Sequence, residues 1–158
     1  MPMESTATLP VRLAPGAALP HRAHDHDAGY DLVSNESLTI PAGGRALVGT
    51  GVSVALPEGT VGLVCPRSGL AVKHGITVLN GPGIVDAGYR GEIRVALHNT
   101  DAVADFAIEP GDRIAQLVVI AHAAPELHVV ESLDETERSS SGFGSSGGFG
   151  AARPDGKE

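Results

Sequence analysis

Short apolar stretches alternate with glycine- and proline-rich breaks along almost the whole chain. Most apolar stretches are three to nine residues long and rich in Val, Leu and Ile, which is the pattern of strands in an antiparallel barrel or sandwich. The pattern predicts an all-β fold. The predicted strands cover residues 11–13, 28–33, 37–40, 45–56, 60–65, 93–97, 106–108, 113–120 and 126–133.

One stretch departs from the strand pattern and predicts the single short helix of the chain. Leu70-Ala71-Val72 lie between Ser68 and Gly75, so we expect Ser68 to cap the start of the helix and Gly75 to close its end. Arg67 stands beside the first amide groups, and together they form a candidate anion-binding corner. The alternative is an ordinary capped helical turn with a surface arginine.

Residues 80–93 predict a tight hairpin, because Asn80-Gly81-Pro82-Gly83 is a run of strong turn formers. The lone carboxylate of Asp86 follows two apolar residues, and Tyr89 stands at the exit of a second bend. A hairpin with these side chains and free backbone donors is a candidate pocket for a small polar ligand.

Length and composition limit the possible classes of protein. The 158 residues predict one β domain (11–133) with a loose leader (1–10) and a flexible Gly/Ser-rich C-terminal arm (134–158). Aromatic residues make up only 3%, and such a light core often gains buried area from neighbouring subunits. The net charge of −8 argues against nucleic-acid binding. A single cysteine, no signal peptide and no apolar run of membrane-spanning length predict a soluble cytoplasmic protein.

Two further groups of polar residues have open interpretations. His21, His24 and His26 alternate with aspartates over residues 21–27, which fits a solvated polar loop better than a metal site, because closed zinc sites need structurally held ligands. Arg113 and Gln116 interrupt the apolar strand 113–120. A buried arginine needs an anionic partner, so either a structural ion pair or a ligand is implied.

Five stretches, read together, closely resemble the five motifs of trimeric dUTP pyrophosphatases (dUTPases). They cover residues 28–32, 66–71, 80–92, 111–117 and 138–147, and include the wording PRSGLAVKHGI, YRGE and GDRIAQL. The fifth stretch differs from the family pattern, because Ser139 and Ser141 replace two glycines. The resemblance implies a jelly-roll-like fold and a homotrimer with active sites shared between chains. It also implies Mg²⁺-dependent hydrolysis of dUTP to dUMP and pyrophosphate, which limits uracil incorporation into DNA and supplies dUMP for dTTP synthesis.

The resemblance also assigns roles to individual residues. Asp86 is the expected general base for the attacking water, and Gln116 lies near the α-phosphate. Asp31 is expected to contact Mg²⁺ through water, while the substrate phosphates hold the metal. The expected substrate-binding residues are Arg67, Ser68, Gly69, Asn80, Ile84, Val85, Asp86, Tyr89, Arg94, Gln116, Arg138, Phe143 and Gly144.

Two other functions are alternatives to a dUTPase. One is a member of the same superfamily, a dCTP deaminase or a deaminase that also hydrolyses dUTP, but the wording PGIVDAGYRGE with Asp86 and Tyr89 favours the dUTPase. A nucleotide-binding regulatory protein with secondary hydrolysis is the other alternative, and the complete set of motifs argues against loss of catalysis.

Overall fold

The computed structural model describes residues 8–136, and these residues form eleven strands and one helix. The strands are β1 (Val11–Leu13), β2 (Gly29–Val33), β3 (Leu38–Ile40), β4 (Arg45–Gly49), β5 (Val52–Val54), β6 (Thr60–Cys65), β7 (Ile76–Val78), β8 (Gly83–Asp86), β9 (Arg94–Asn99), β10 (Phe106–Ile108) and β11 (Arg113–Ala121). The helix, α1, spans Ser68–His74. The predicted strand over 45–56 is divided into two, because Gly51 at φ 69° bends the chain between β4 and β5.

All strand pairs in the described residues are antiparallel. The largest sheet has the order β2-β11-β6-β8, and a second sheet has the order β4-β9-β7. The pairs β1-β5 and β10-β3 form two smaller sheets. The predictions of an all-β antiparallel domain and one short helix are therefore confirmed.

Alternation of buried and exposed residues along the strands builds the core. In β8, Gly83 and Val85 are buried while Ile84 and Asp86 are exposed, as expected where successive side chains point to opposite faces. The core is aliphatic and includes Leu32, Ile40, Val48, Ile76, Val95, Leu97, Ile108, Ile114 and Leu117. Full burial of each such side chain contributes about 1.5–3 kcal/mol.

The helix ends as predicted but begins differently. Gly75 adopts the left-handed conformation at φ 64°, and its N–H donates to the carbonyl groups of Leu70 and Ala71. The expected Ser68 cap is wrong. Arg67 is the N-cap residue with extended backbone, Ser68 is already helical, and no side chain bonds to the first amide groups.

The predicted hairpin over 80–93 is also wrong. β8 pairs with β6 in the four-stranded sheet, whereas β9 pairs with β4 and β7 in the other sheet. Residues 87–93 therefore carry the chain from one sheet to the other. The turn formers predict where the chain reverses, but they do not determine that β8 pairs with β6 rather than with β9.

Among the described residues, 8–124 form one compact unit and 125–136 belong to a second unit. Among the described residues of the second unit, 125–136, no strand is present, so the strand predicted over 126–133 is wrong for the single chain. Leu127 and Val129 are 93% and 94% exposed, because no neighbouring strand covers them. No helix within residues 8–136 has the length and apolar character that crossing a bilayer requires.

Candidate active site

A β-bulge in β11 brings its two polar side chains to the same face of the sheet. Arg113 and Gln116 are three positions apart, so in a regular strand they would point to opposite faces. The pairing with β2 shifts between Arg113 and Ala115, so that Arg113 lies opposite Val33 and Gln116 lies opposite Asp31. Such a bulge re-aims a side chain. Here it buries Ile114 and Ala115 together and leaves the two polar residues beside Asp31.

Asp31 is the centre of an ion-paired cluster. Its Oδ1 lies 3.2 Å from Nε of Arg67, and its Oδ2 lies 3.3 Å from Nη1 of Arg113. Nη1 of Arg67 also donates to the backbone carbonyl of Arg113 at 3.2 Å. The Asp31 side chain is only 13% exposed, so water screens these pairs incompletely. Arg113 is not buried as its place in an apolar strand implied, because its side chain is 49% exposed. Of the two interpretations of Arg113, the structural ion pair is the one present in the single chain.

A cavity of about 430 Å³ adjoins this cluster and is lined by Cys65, Arg67, Ser68, Gly69 and Gln116, among others. Gln116 Nε2 donates to the carbonyl of Pro66 at 2.9 Å, which fixes the orientation of the side-chain amide. Two arginines share one carboxylate, so the cluster keeps an excess positive charge. Together with the first amide groups of α1, which lack intrahelical acceptors, it suits an anion. Residues 31, 67–69, 113 and 116 are called the phosphate-side group below.

The second group of predicted site residues lies at the other end of the same sheet. Ile84 and Asp86 project from the exposed face of β8, and Ile84 is 61% exposed. Asn80 is exposed ahead of β8, while Val85 points into the core. Tyr89 follows β8, and its N–H donates to the Asp86 carbonyl at 3.0 Å. Asn80, Ile84, Asp86 and Tyr89 are called the nucleoside-side group.

Strand register shows that Asp86 and Gln116 do not meet within one chain. Asp86 lies opposite Val61 of β6, and Gln116 lies opposite Cys65 on the other side of β6. At about 3.3 Å per residue along β6 and about 4.8 Å between strands, the Cα atoms of Asp86 and Gln116 are about 16 Å apart. Neither side chain can span that gap to reach a common atom.

The remaining predicted site residues lie elsewhere. Arg94 is on β9 in the other sheet, where its Nη2 lies 3.6 Å from Oε1 of Glu36 and donates to the Leu47 carbonyl at 3.2 Å. It joins neither group. Arg138, Phe143 and Gly144 lie outside the described residues.

Within residues 8–136, no three His, Cys, Asp or Glu side chains are grouped in a way that could hold a metal ion. In the loop 21–27, Nδ1 of His24 lies 3.1 Å from Oδ2 of Asp27. This hydrogen bond lowers the pKa of the Asp27 carboxyl. His24 and Asp27 are therefore paired with each other within the loop.

Two glycines of the stretches 28–32 and 80–92 adjoin site side chains, although the sequence pattern assigns neither of them an individual role. A Cβ atom on Gly29 would overlap the side-chain amide of Gln116, and a Cβ atom on Gly91 would overlap the ring of Tyr89. Sequence reasoning missed both, because only the three-dimensional contact distinguishes them from the other glycines of the chain.

A family model described as dUTPase matches residues 16–147. The chain belongs to the dUTPase family. The deoxyuridine 5'-triphosphate nucleotidohydrolase of Rhodococcus erythropolis is 56% identical over 137 residues, which are 87% of this chain and 84% of that protein. The protein of the same name from Mycobacterium leprae is 55% identical over 149 residues, which are 91% of this chain and 97% of that protein.

Solved dUTPase structures share the fold. A mutant dUTPase of Staphylococcus bacteriophage 80alpha with dUpNHpp has a TM-score of 0.84 and 34% identity, and the match covers 90% of this chain and 99% of that chain. A mutant dUTPase from phage phi11 of S. aureus, described with a structural Mg(II) ion, has a TM-score of 0.75 and 32% identity over 80% and 98% of the two chains. The jelly-roll-like fold expected from the five motifs is thus confirmed.

Proposed function

We propose that this dUTPase hydrolyses dUTP to dUMP and pyrophosphate by attack of an Asp86-activated water on the α-phosphorus, in active sites shared between the chains of a homotrimer. The reaction lowers dUTP, which limits uracil incorporation into DNA, and it supplies dUMP for dTTP synthesis. A chain with one cysteine, Cys65, suits the reducing cytoplasm, where we propose that the enzyme acts.

The nucleoside-side group binds uracil and deoxyribose. The exposed carboxylate of Asp86 acts as general base, because it is free of ion pairs among the described residues and can orient and deprotonate a water. Asn80 and the backbone of Ile84 and Val85 bind the uracil edge, and a mismatched base leaves these polar groups unpaired. The ring of Tyr89 packs against the sugar and leaves no room for a 2′-hydroxyl.

The phosphate-side group binds the triphosphate. Arg67, Ser68 and Gly69 hold phosphate oxygens, and Gln116 lies near the α-phosphate and the attacking water. The excess positive charge and the fixed amide of Gln116 support these roles. Arg94 lines the site only if another chain brings it there, since its own chain engages it with Glu36. Arg138, Phe143 and Gly144 of the C-terminal arm close over the nucleotide, with Phe143 against uracil.

Mg²⁺ is proposed as the cofactor, bound mainly by the substrate phosphates, whose charge it neutralises. This suits a chain whose described residues have no dedicated metal cage, since Mg²⁺ commonly keeps several waters and binds through phosphates. Asp31 fits a contact to the metal through water, because each carboxylate oxygen can accept a further hydrogen bond beside its ion pair.

One observation carries the shared-site proposal: the separation of about 16 Å between Asp86 and Gln116 along and across the strands of one sheet. Both residues act on the same phosphorus only if Asp86 comes from one chain and Gln116 from another. The exposed face between them is apolar and includes Val61, Leu63, Ile84, Val118 and Ile120, which supports association through this side of the sheet. Three copies follow from the family resemblance.

The decisive experiment measures pyrophosphate release from dUTP, dTTP, dCTP and UTP in the presence of Mg²⁺. We expect turnover of dUTP alone. Ammonia release from dCTP would instead indicate a deaminase, and binding of dUTP without turnover would indicate a regulatory nucleotide-binding protein. Light scattering on the same sample tests the trimer, and a monomer that turns over dUTP would contradict the shared site.

A further inference from the structure

Tyr89 is folded back over its own loop in a defined orientation. The residue is 45% exposed, its Oη donates to the backbone carbonyl of Glu92 at 2.8 Å, and its N–H donates to the carbonyl of Asp86. A Cβ atom on Gly91 would lie 2.6 Å from Cζ and 2.9 Å from Cε2 of the ring, closer than real Cβ atoms approach. The ring can therefore occupy this place only because residue 91 has no side chain.

The Glu92 carbonyl, which accepts the hydrogen bond of the Tyr89 hydroxyl, is itself held in place by hydrogen bonds to the bend between β4 and β5. Oε1 of Glu92 accepts the N–H of Gly51 at 2.8 Å. The next residue, Ile93, is 2% exposed, and its N–H donates to Val52 at 2.7 Å. The chain is thus fixed at Glu92 to the bend between β4 and β5, and the hydroxyl of Tyr89 is bonded to this fixed point.

We propose that Gly91 and Glu92 are positioning residues that hold the Tyr89 ring and thereby set the discrimination of deoxyribose from ribose; this rests on the proposed role of Tyr89 at the sugar. An apolar wall rejects an added hydroxyl only weakly when it can yield, giving about 100-fold discrimination or less. A ring free to rotate about its χ1 bond would move aside for a 2′-hydroxyl. A ring held at its hydroxyl and seated on a glycine cannot.

The first test is Gly91→Ala. The added methyl displaces a side-chain ring and leaves the backbone unstrained, because no positive φ occurs at this residue. We expect the ratio of kcat/KM for dUTP to that for UTP to fall about tenfold or more, with KM for dUTP rising more than kcat falls. Gly88→Ala is the matched control, because a Cβ atom there meets nothing within 4 Å, and its ratio should equal that of the unmodified enzyme.

The second test separates the anchor from the glycine. Glu92→Gln keeps an acceptor for the Gly51 amide, so it should retain the dUTP/UTP ratio, whereas Glu92→Ala should lower it. This pair keeps the inference open to refutation if Gly91→Ala does not fold. A role in stability alone would lower the melting temperature of Glu92→Ala without changing the ratio, and that result would overturn the proposal.

Tyr89→Ala distinguishes failure of this inference from failure of the proposed function. An unmodified enzyme that releases no pyrophosphate from dUTP refutes the function itself. If Tyr89→Ala lowers the dUTP/UTP ratio while Gly91→Ala and Glu92→Ala keep it, the sugar gate stands and the positioning role is refuted. If all three variants lower the ratio and Gly88→Ala does not, the inference is supported.

Discussion

Gly29→Ala tests whether the pose of Gln116 matters for turnover. Gly29 lies on β2 beside Gln116, and a Cβ atom there would overlap the amide oxygen of Gln116 and lie 3.2 Å from its Cδ. The backbone of Gly29 is not at positive φ, so alanine is tolerated there, and the flexible end of Gln116 must move instead. The hydrogen bond from Gln116 to the Pro66 carbonyl is then lost.

The effects of Gly29→Ala on stability and on turnover can be separated. Loss of one hydrogen bond costs about 1 kcal/mol of stability. Replacing glycine by alanine restores about 0.4–1 kcal/mol by restricting the unfolded chain. The free energy of unfolding should therefore stay nearly constant. Turnover, in contrast, should fall, because a displacement of about 1 Å at a group that orients the reaction lowers the rate on the order of 100-fold.

The assay is pyrophosphate release at saturating dUTP, combined with thermal unfolding of the same preparations. Gly88→Ala is the control, since its methyl group enters open space. If Gly29 acts through Gln116, Gly29→Ala should lower kcat hardly any further in a Gln116→Ala background. A Gly29→Ala enzyme with unchanged kcat would refute the reasoning, and so would full additivity of the two substitutions.

Three further predictions concern other parts of the chain. Asp86→Asn should retain nucleotide binding and lose about 10²–10⁴-fold in turnover, and unchanged turnover would contradict its role as general base. Truncation ahead of Arg138 should abolish most activity while circular dichroism and light scattering report the same fold and particle size as for the full chain; a fully active truncated enzyme would refute the role of the arm. Hydrogen bonds from the backbone N–H groups of Ala104 and Val103 lower the pKa of Asp101. Their contribution to stability should be complete above about pH 4 and lost as the pH falls through the lowered pKa, which an NMR titration of the carboxyl would check.

Helix α1 shows what local sequence signals can and cannot predict. Gly75 marked the end of the helix correctly, because closure by a left-handed residue depends on local backbone chemistry alone. The prediction that Ser68 is the N-cap was wrong, because the helix begins one residue earlier: Ser68 is its first residue and Arg67 is the N-cap. Arg67 is extended at that point, and its guanidinium reaches Asp31, a residue far away in the sequence. The N-terminus of α1 therefore has no side-chain cap, and its N-cap residue instead forms a long-range ion pair.

Strand register was the information that the sequence lacked. Turn formers at 80–83 and the alternation in residues 83–86 were visible, and they predicted a reversal followed by a strand. Which sheet β8 and β9 would join depended on the non-local pairs β6-β8 and β4-β9. Because those pairings were unknown, residues 80–93 were predicted as a hairpin rather than a crossing between sheets.

The bulge in β11 is the clearest case of a site feature that pattern reasoning could notice but not interpret. Arg113 and Gln116 stood out as polar interruptions, yet their spacing of three places them on opposite faces of a regular strand. The buried pair Ile114 and Ala115 shows how the structure resolves this conflict. One extra residue turns inward, and both polar side chains reach the face that carries Asp31.

The two arginines that pair with Asp31 give this part of a chain with a net charge of −8 a local excess of positive charge. Removing this carboxylate would add positive charge to the phosphate-side group, which by itself favours an anion. It would also release Nε of Arg67, which is now held at 3.2 Å, and leave only the hydrogen bond from Nη1 to the Arg113 carbonyl. An oriented guanidinium loses less freedom for each hydrogen bond that it forms with a phosphate. Asp31 thus offsets one unit of positive charge but also holds the Arg67 guanidinium in one orientation, and the second arginine leaves the group positive.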